Sequence, residues 1–165
     1  DVALEQFADV GLQFDGRQLQ QADGLLQLWR HGQLLPQAQL QSLEHGSEEL
    51  TRALGGRPAL VSLWATWCDA CQKEMPDLAQ LDTWAKEHGG VVMGVAVGEP
   101  VEKVKTFASA HRMAYPILVD EDFRLADALG EKKVPTTLVI DRTGRIVFTG
   151  GALDDRSRKA FEALF

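Results

Sequence analysis

Residues 59–76 of the chain read ALVSLWATWCDACQKEMP and include both of its cysteines, Cys68 and Cys71. The apolar run over residues 59–65 predicts a buried strand, and the apolar spacing over residues 69–88 predicts a helix after it. Cys68 therefore falls at the start of a helix, where unpaired N–H groups and the helix dipole favour a thiolate. Cys71 comes one helical turn later, on the same face and within disulfide reach.

The two cysteines are predicted to have different tasks. Cys68, at the exposed helix end, attacks or is attacked, and Cys71, deeper in the fold, resolves the mixed disulfide. A structural bridge is a weaker interpretation, because a disulfide that closes so short a loop hardly constrains the unfolded chain. Zinc is weaker too, since it takes four ligands and the sequence offers one cysteine pair and no HxxxH set. We therefore expect a redox-active disulfide with no metal and no other cofactor.

The composition excludes some partners. Acidic residues outnumber basic ones, 24 against 17, and the formal net charge is −7. This balance argues against nucleic-acid or anionic-membrane binding, which favour clustered Lys and Arg. No apolar run approaches the ~20 residues that span a bilayer. The chain begins at Asp1 without an initiator Met, which agrees with an expected N-terminal signal or anchor that has been removed.

The chain is predicted to have two parts. Residues 1–35 form an N-terminal extension rich in Gln, in which apolar residues between Leu19 and Trp29 predict a helix that Gly32 ends. This helix is expected to pack against the main domain, and a tether to a membrane anchor and a partner-binding surface remain alternatives for the extension. Residues 36–165 alternate strands and helices and predict an α/β domain with helices on both faces of a sheet. Further strands are expected at 91–97, 117–119, 137–141 and 145–149, and further helices at 101–112, 123–129 and 154–165.

Several residues near the cysteine pair are candidates for supporting roles. Glu74 lies one turn beyond Cys71, so its carboxylate is expected near that sulfur rather than on a solvated helix face. Trp64 is predicted in the core, and Trp67 is predicted at the rim, where it offers a flat apolar contact beside the sulfurs. Pro135 follows Val134 just before a predicted strand, and its isomer state is left open by the sequence.

The segment WATWCDACQKEMP (residues 64–76), together with VPTT (residues 134–137), resembles the thioredoxin superfamily. Within it, the chain is most similar to the TlpA/ResA/CcmG-like branch of bacterial periplasmic or membrane-tethered thiol-disulfide oxidoreductases. The resemblance covers residues 36–165 and implies a thioredoxin-like fold, with a central mixed sheet flanked by helices. Residues 98–116 correspond to the branch's central insertion.

The resemblance also implies roles for individual residues. Pro135 is expected to be cis, with the Val134 backbone pairing to a bound substrate strand. Glu74 matches the buried acidic residue of the branch, which tunes thiol pKa values and proton transfer. Ser62 stands where thioredoxin itself has Asp, and Glu74 would supply the nearby carboxylate instead.

The predicted function is reduction of protein disulfides in the bacterial periplasm. The resemblance suggests a membrane thiol-electron carrier as reductant and targets such as apocytochrome c in cytochrome c biogenesis, or metallochaperone cysteines. Asp69 beside Cys68 favours a reducing couple, because a neighbouring negative charge raises a thiol pKa. An oxidase or isomerase of the same fold remains an alternative. A copper-binding chaperone and a thiol peroxidase are weaker ones, since the spacing is CxxC, no His follows His111, and Cys68 is not in a Pro/Thr-rich loop.

Overall fold

The computed structural model describes residues 31–165 of the chain. Within that range the chain forms seven strands and five helices. The strands are β1 (Gln39–Ser42), β2 (Gly46–Glu49), β3 (Ala59–Trp64), β4 (Val91–Val97), β5 (Ile117–Asp120), β6 (Thr136–Ile140) and β7 (Ile146–Gly150). The helices are α1 (Leu50–Leu54), α2 (Asp69–Glu87), α3 (Val101–Ala110), α4 (Arg124–Leu129) and α5 (Asp155–Glu162).

All seven described strands join one mixed sheet, in the order β2-β1-β5-β4-β3-β6-β7. Strands β3, β4 and β5 are parallel to one another, β6 is antiparallel to β3, and the remaining pairs are antiparallel. The carboxyl ends of β3, β4 and β5 therefore meet the amino end of β6 at one side of the sheet, which we call the carboxyl edge. The topology confirms the predicted α/β, thioredoxin-like fold with a mixed sheet flanked by helices.

Strand β3 is apolar because both of its faces are covered. Val61 and Leu63 point into one hydrophobic cluster, and Leu60 and Trp64 point into the other. Helices α1 and α4 supply the first cluster, and helices α2, α3 and α5 supply the second. Burial on both faces replaces the polar–apolar alternation of a half-exposed strand with a continuous apolar run. The sequence signal for β3 was strong for this reason.

Two helix starts agree with the sequence predictions. Cys68 is the N-cap of α2, in an extended conformation at φ −91° and ψ 106°. Asp154 caps α5 through a capping box with Ser157, in which each side chain bonds the other residue's backbone N–H. Helix α5 ends at Glu162, three residues before Phe165, where the sequence predicted its end.

The sequence predictions missed the β1–β2 hairpin and α1. These strands are short and polar, and in β1 only Leu40 is fully buried. β1 is held by pairing with β5, where Gln41 lies opposite Val119. Because that partner is about 80 residues away in the sequence, no local periodicity marked the strand.

The end of the predicted N-terminal extension packs on the turn between β6 and β7. The N–H of Gly32 donates to the carbonyl of Ile146 at 2.7 Å, and the N–H of Leu35 donates to that of Gly144 at 2.7 Å. The Leu35 side chain is buried in the first hydrophobic cluster. The helix predicted between residues 19 and 29 lies outside the described residues.

Candidate active site

The cysteine pair lies where β3 reaches the carboxyl edge and α2 begins. Cys68 and Cys71 form a disulfide, with their Cα atoms 5.2 Å apart. The Cys68 sulfur also accepts the backbone N–H of Cys71 at 3.1 Å, so it lies against the unpaired amides of the first helical turn. The same position stabilises negative charge on that sulfur once the disulfide is reduced.

Both cysteines are buried in the oxidised protein, so the helix end at Cys68 is less exposed than the sequence predicted. Cys68 is 6% exposed and Cys71 is 2% exposed, and both belong to the second hydrophobic cluster. Asp69 follows Cys68 in the first turn of α2 and is exposed. That Cys68 meets the substrate and Cys71 resolves the mixed disulfide stays a prediction.

Glu74 lies one turn beyond Cys71 and is buried. Its carboxylate accepts a hydrogen bond from the Ser62 hydroxyl at 3.1 Å and another from the Leu153 N–H at 2.8 Å. Burial raises the pKa of Glu74 above its ordinary value, and the two hydrogen bonds oppose the rise only in part. A carboxyl group whose pKa is shifted toward neutrality is suited to proton exchange. The structure thus brings Ser62 and Glu74 together, as the resemblance implied.

Trp67 and the Val134–Pro135 segment lie at the same carboxyl edge. Trp67 is 68% exposed, whereas Trp64 is buried, as predicted for a rim and a core residue. The Val134–Pro135 peptide bond is cis, as the resemblance implied. Pro135 immediately precedes β6, whose first residue, Thr136, pairs with Leu63 of β3. The substrate-binding roles of Trp67, Val134 and Pro135 stay predictions.

Three residues next to the site had no predicted role. Thr66 lies two residues before Cys68 and is hydrogen-bonded to Glu99, which follows β4. Leu153, in the loop before α5, donates to Glu74. For Glu99 a signal was present, since an acidic residue just after an apolar strand, here two residues beyond Val97, falls at the edge where parallel strands place functional groups.

Two further observations concern metals and membranes. Within residues 31–165, no three His, Cys, Asp or Glu side chains lie close enough together to bind a metal ion. Among the helices of that same part of the chain, none is both long and apolar enough to cross a bilayer.

A disulfide at a helix start, a buried carboxylate one turn further and a sheet of this topology define a thioredoxin-fold thiol-disulfide oxidoreductase. Comparison with known proteins gives the family. The model of the AhpC/TSA family matches residues 31–149. Thiol-disulfide oxidoreductase ResA of Halalkalibacterium halodurans is 33% identical over 127 residues, which cover 76% of this chain and 72% of the relative. ResA of Geobacillus thermodenitrificans is 30% identical over 135 residues, which cover 81% of this chain and 77% of that relative.

Solved structures agree with the fold. The thioredoxin domain of a thiol-disulfide oxidoreductase from Bacteroides vulgatus superposes with a TM-score of 0.72 at 21% identity, covering 82% of this chain and 98% of that one. A thiol:disulfide interchange protein of Chlorobium tepidum gives a TM-score of 0.66 at 23% identity, and the superposition covers 81% of this chain and 96% of that one. The chain belongs to the AhpC/TSA family of the thioredoxin superfamily, among its ResA-like thiol-disulfide oxidoreductases.

Proposed function

We propose that this oxidoreductase works in the reducing direction on protein disulfides in the bacterial periplasm, with Cys68 as the attacking sulfur. The observation that carries the proposal is the asymmetry of the pair: Cys68 is the N-cap of α2 and its sulfur accepts the Cys71 N–H, whereas Cys71 lies inside the helix. A thiolate at Cys68 is favoured by the amides there, and the nucleophile in disulfide exchange is the thiolate. The disulfide is the only redox group that this mechanism requires.

The reaction proceeds in two exchanges. The Cys68 thiolate attacks one sulfur of the target disulfide, forms a mixed disulfide and releases the other target sulfur as a thiolate. The Cys71 thiol then loses its proton, and its thiolate attacks the Cys68 sulfur. The Cys68–Cys71 bond forms, the second target thiolate leaves, and two electrons have passed to the target.

Glu74 is the proposed acceptor of the Cys71 proton. It lies one turn beyond Cys71, is shielded from bulk water, and has a pKa raised by that burial. The bonds from Ser62 and Leu153 hold both of its carboxylate oxygens in place. A fixed carboxyl group of raised pKa can take a proton from a buried thiol and return it in the reverse reaction.

The remaining roles complete the proposed cycle. Trp67 offers an exposed apolar face to the polypeptide, and the Val134 backbone beside Pro135 pairs with the substrate strand. A membrane thiol-electron carrier restores the reduced dithiol by the same two exchanges in reverse. The ResA names of the relatives support the oxidoreductase class. The resemblance supports the proposed reducing direction and periplasmic location, and Asp69 supports the reducing direction.

A redox titration tests the direction. The reduced fraction of the cysteine pair is measured after equilibration in glutathione buffers and in dithiothreitol buffers of known potential, which together span the oxidising and reducing ranges, and insulin reduction is measured in parallel. We expect a potential near thioredoxin's, at about −270 mV, together with insulin reduction. A potential near that of a strong oxidant, about −120 mV, would instead establish an oxidase. The variant with both cysteines changed to Ala controls for background exchange.

A further inference from the structure

Thr66, two residues before Cys68, is bonded to other side chains through each of its polar groups. Its N–H donates to Glu99 Oε2 at 2.8 Å, and its hydroxyl donates to Glu99 Oε1. Its carbonyl accepts from Gln72 Nε2 at 3.0 Å. Because β3 ends at Trp64, these side chains replace the sheet hydrogen bonds that Thr66 no longer makes. We call Thr66, Glu99 and Gln72 the Thr66 clamp.

Glu99 reaches Thr66 because β3 and β4 are neighbours and the chain turns sharply after β4. Gly98 makes that turn at φ +74°, and its N–H donates to the carbonyl of Asp120 at 2.9 Å. A side chain at Gly98 would also collide with the Phe123 ring. The turn brings the Glu99 carboxylate back to the loop that leads into the active site.

The Glu99 carboxylate is a buried anion with partners on both oxygens. The residue is 4% exposed, and Lys103 Nζ lies 3.0 Å from Oε1. Burial alone would raise the pKa of Glu99, but the hydrogen bonds from Thr66 and the nearby Lys103 outweigh it and lower the pKa. Hydrogen bonds to an ionised acceptor are about twice as strong as neutral ones. The clamp is therefore firmly held at neutral pH.

Trp67 lies between the clamped Thr66 and the disulfide-bonded Cys68. Its backbone is held on one side by the bonds to Thr66. On the other side the Cys68 N–H donates to the Ala65 carbonyl at 3.2 Å, a bond that does not depend on the disulfide, while the indole ring of Trp67 is 68% exposed. An exposed aromatic side chain on a fixed backbone suits binding, because little conformational entropy is lost when a partner packs against it.

We propose that Glu99 is a positioning residue that, through Thr66, holds Trp67 in the orientation that contacts polypeptide substrates beside Cys68. This inference rests on the proposed function, since it assumes that Trp67 contacts the substrate. A merely structural bond would affect folding stability and every substrate alike. Loss of a positioning residue should instead impair turnover of large substrates, which reach Trp67, more than turnover of small ones, which reach only the sulfurs.

The experiment compares two disulfides, insulin and bis(2-hydroxyethyl) disulfide, in steady-state exchange at pH 7. Glu99→Ala is expected to raise KM for insulin about tenfold. The factor by which it lowers kcat/KM should be at least about threefold larger for insulin than for the small disulfide. In Glu99→Gln the side-chain oxygen can still accept the Thr66 N–H, and the amide N–H can donate to the Thr66 hydroxyl. The KM of this variant for insulin should therefore stay close to the wild-type value. Glu102→Ala, an exposed position on the first turn of α3, is the matched control.

A double-mutant cycle decides whether Glu99 acts through Trp67. In a Trp67→Ala background, Glu99→Ala should cause no further rise in the insulin KM. Additive effects, or equal losses with both disulfides, would overturn the proposal. If Glu99→Ala does not fold, Thr66→Val removes the hydroxyl bond alone and serves in the same cycle. Failure of the wild-type protein to reduce insulin would count against the proposed function rather than against the clamp.

Discussion

The Ser62 hydroxyl donates a hydrogen bond to the Glu74 carboxylate across 3.1 Å, which joins the strand before the cysteine pair to the helix that carries it. The second oxygen of Glu74 accepts the N–H of Leu153, so the last loop of the domain takes part in the same contact. The buried carboxylate is thus held by donors from two other segments of the chain. Its placement leads to two separate predictions.

Glu74→Gln should slow the resolving step of disulfide exchange by about 100-fold or more, because an amide cannot accept the Cys71 proton. Stopped-flow exchange with insulin, followed from pH 5 to 9, measures this step. The thiol titration of Cys71 should shift as well. Glu87→Gln, an exposed change on the same helix, should leave rates and titration as they are. Wild-type kinetics in Glu74→Gln would remove Glu74 from the mechanism.

Glu74 should also make stability depend on pH. Its pKa is raised above the ordinary 4.5 in the folded protein, mainly by burial, so the folded state binds the proton more tightly than the unfolded state. The stability that it contributes is fully present below about pH 4.5 and is lost as the pH rises through the folded-state pKa. Urea unfolding of the oxidised proteins measures the free energy of unfolding of wild type minus that of Glu74→Gln. This signed difference should become smaller as pH rises from 4.5 to 8, because only the wild type loses the contribution of the protonated Glu74. A difference that is constant across this range would contradict the raised pKa.

Trp67→Ala should weaken the binding of protein substrates and spare the fold. The ring is 68% exposed, so the free energy of unfolding should change by no more than about 0.5 kcal/mol. KM for insulin should rise about tenfold, as for loss of an aromatic contact in an interface. Leu34→Ala is the control, because Leu34 is 60% exposed and lies beside Arg145, at the sheet edge opposite the cysteines. The same rise in KM for both variants would argue against a specific contact at Trp67.

Leu35→Ala should destabilise the domain by about 2–5 kcal/mol, the usual cost of removing a buried Leu side chain. Leu35 was predicted to end an appended segment, yet it packs in the first hydrophobic cluster. Its neighbour Leu34 is exposed, and Leu34→Ala should cost no more than about 0.5 kcal/mol. Denaturant unfolding of the two variants measures both values. Equal stabilities would show that residues 32–35 are not part of the packed domain.

The sequence predicted the elements whose signals are local. Val91–Val97 was found with its observed bounds, since a run that is buried on both faces is continuously apolar and ends at glycines on either side. The helix start at Cys68 and the cap at Asp154 depend on neighbouring residues only, and both were predicted. The Ser62–Glu74 pair was anticipated through the resemblance.

The remaining features depend on contacts between distant segments. The β1–β2 hairpin is polar and is stabilised by its β5 partner, so no hydrophobic period marked it. The bonds from Thr66 to Glu99 join residues 33 positions apart, and those positions meet only because β3 and β4 are adjacent. Such pairs follow from topology, which a single sequence indicates only in outline.

Trapping of the mixed disulfide tests most directly that Cys68 attacks and Cys71 resolves. Reduced Cys71→Ala is mixed with insulin, quenched with acid and mapped by mass spectrometry without reduction. The expected result is a stable insulin adduct on Cys68, with at least about tenfold less adduct in the matched Cys68→Ala variant. An adduct that forms on Cys71 in Cys68→Ala as readily as on Cys68 in Cys71→Ala would contradict the assignment of the two sulfurs.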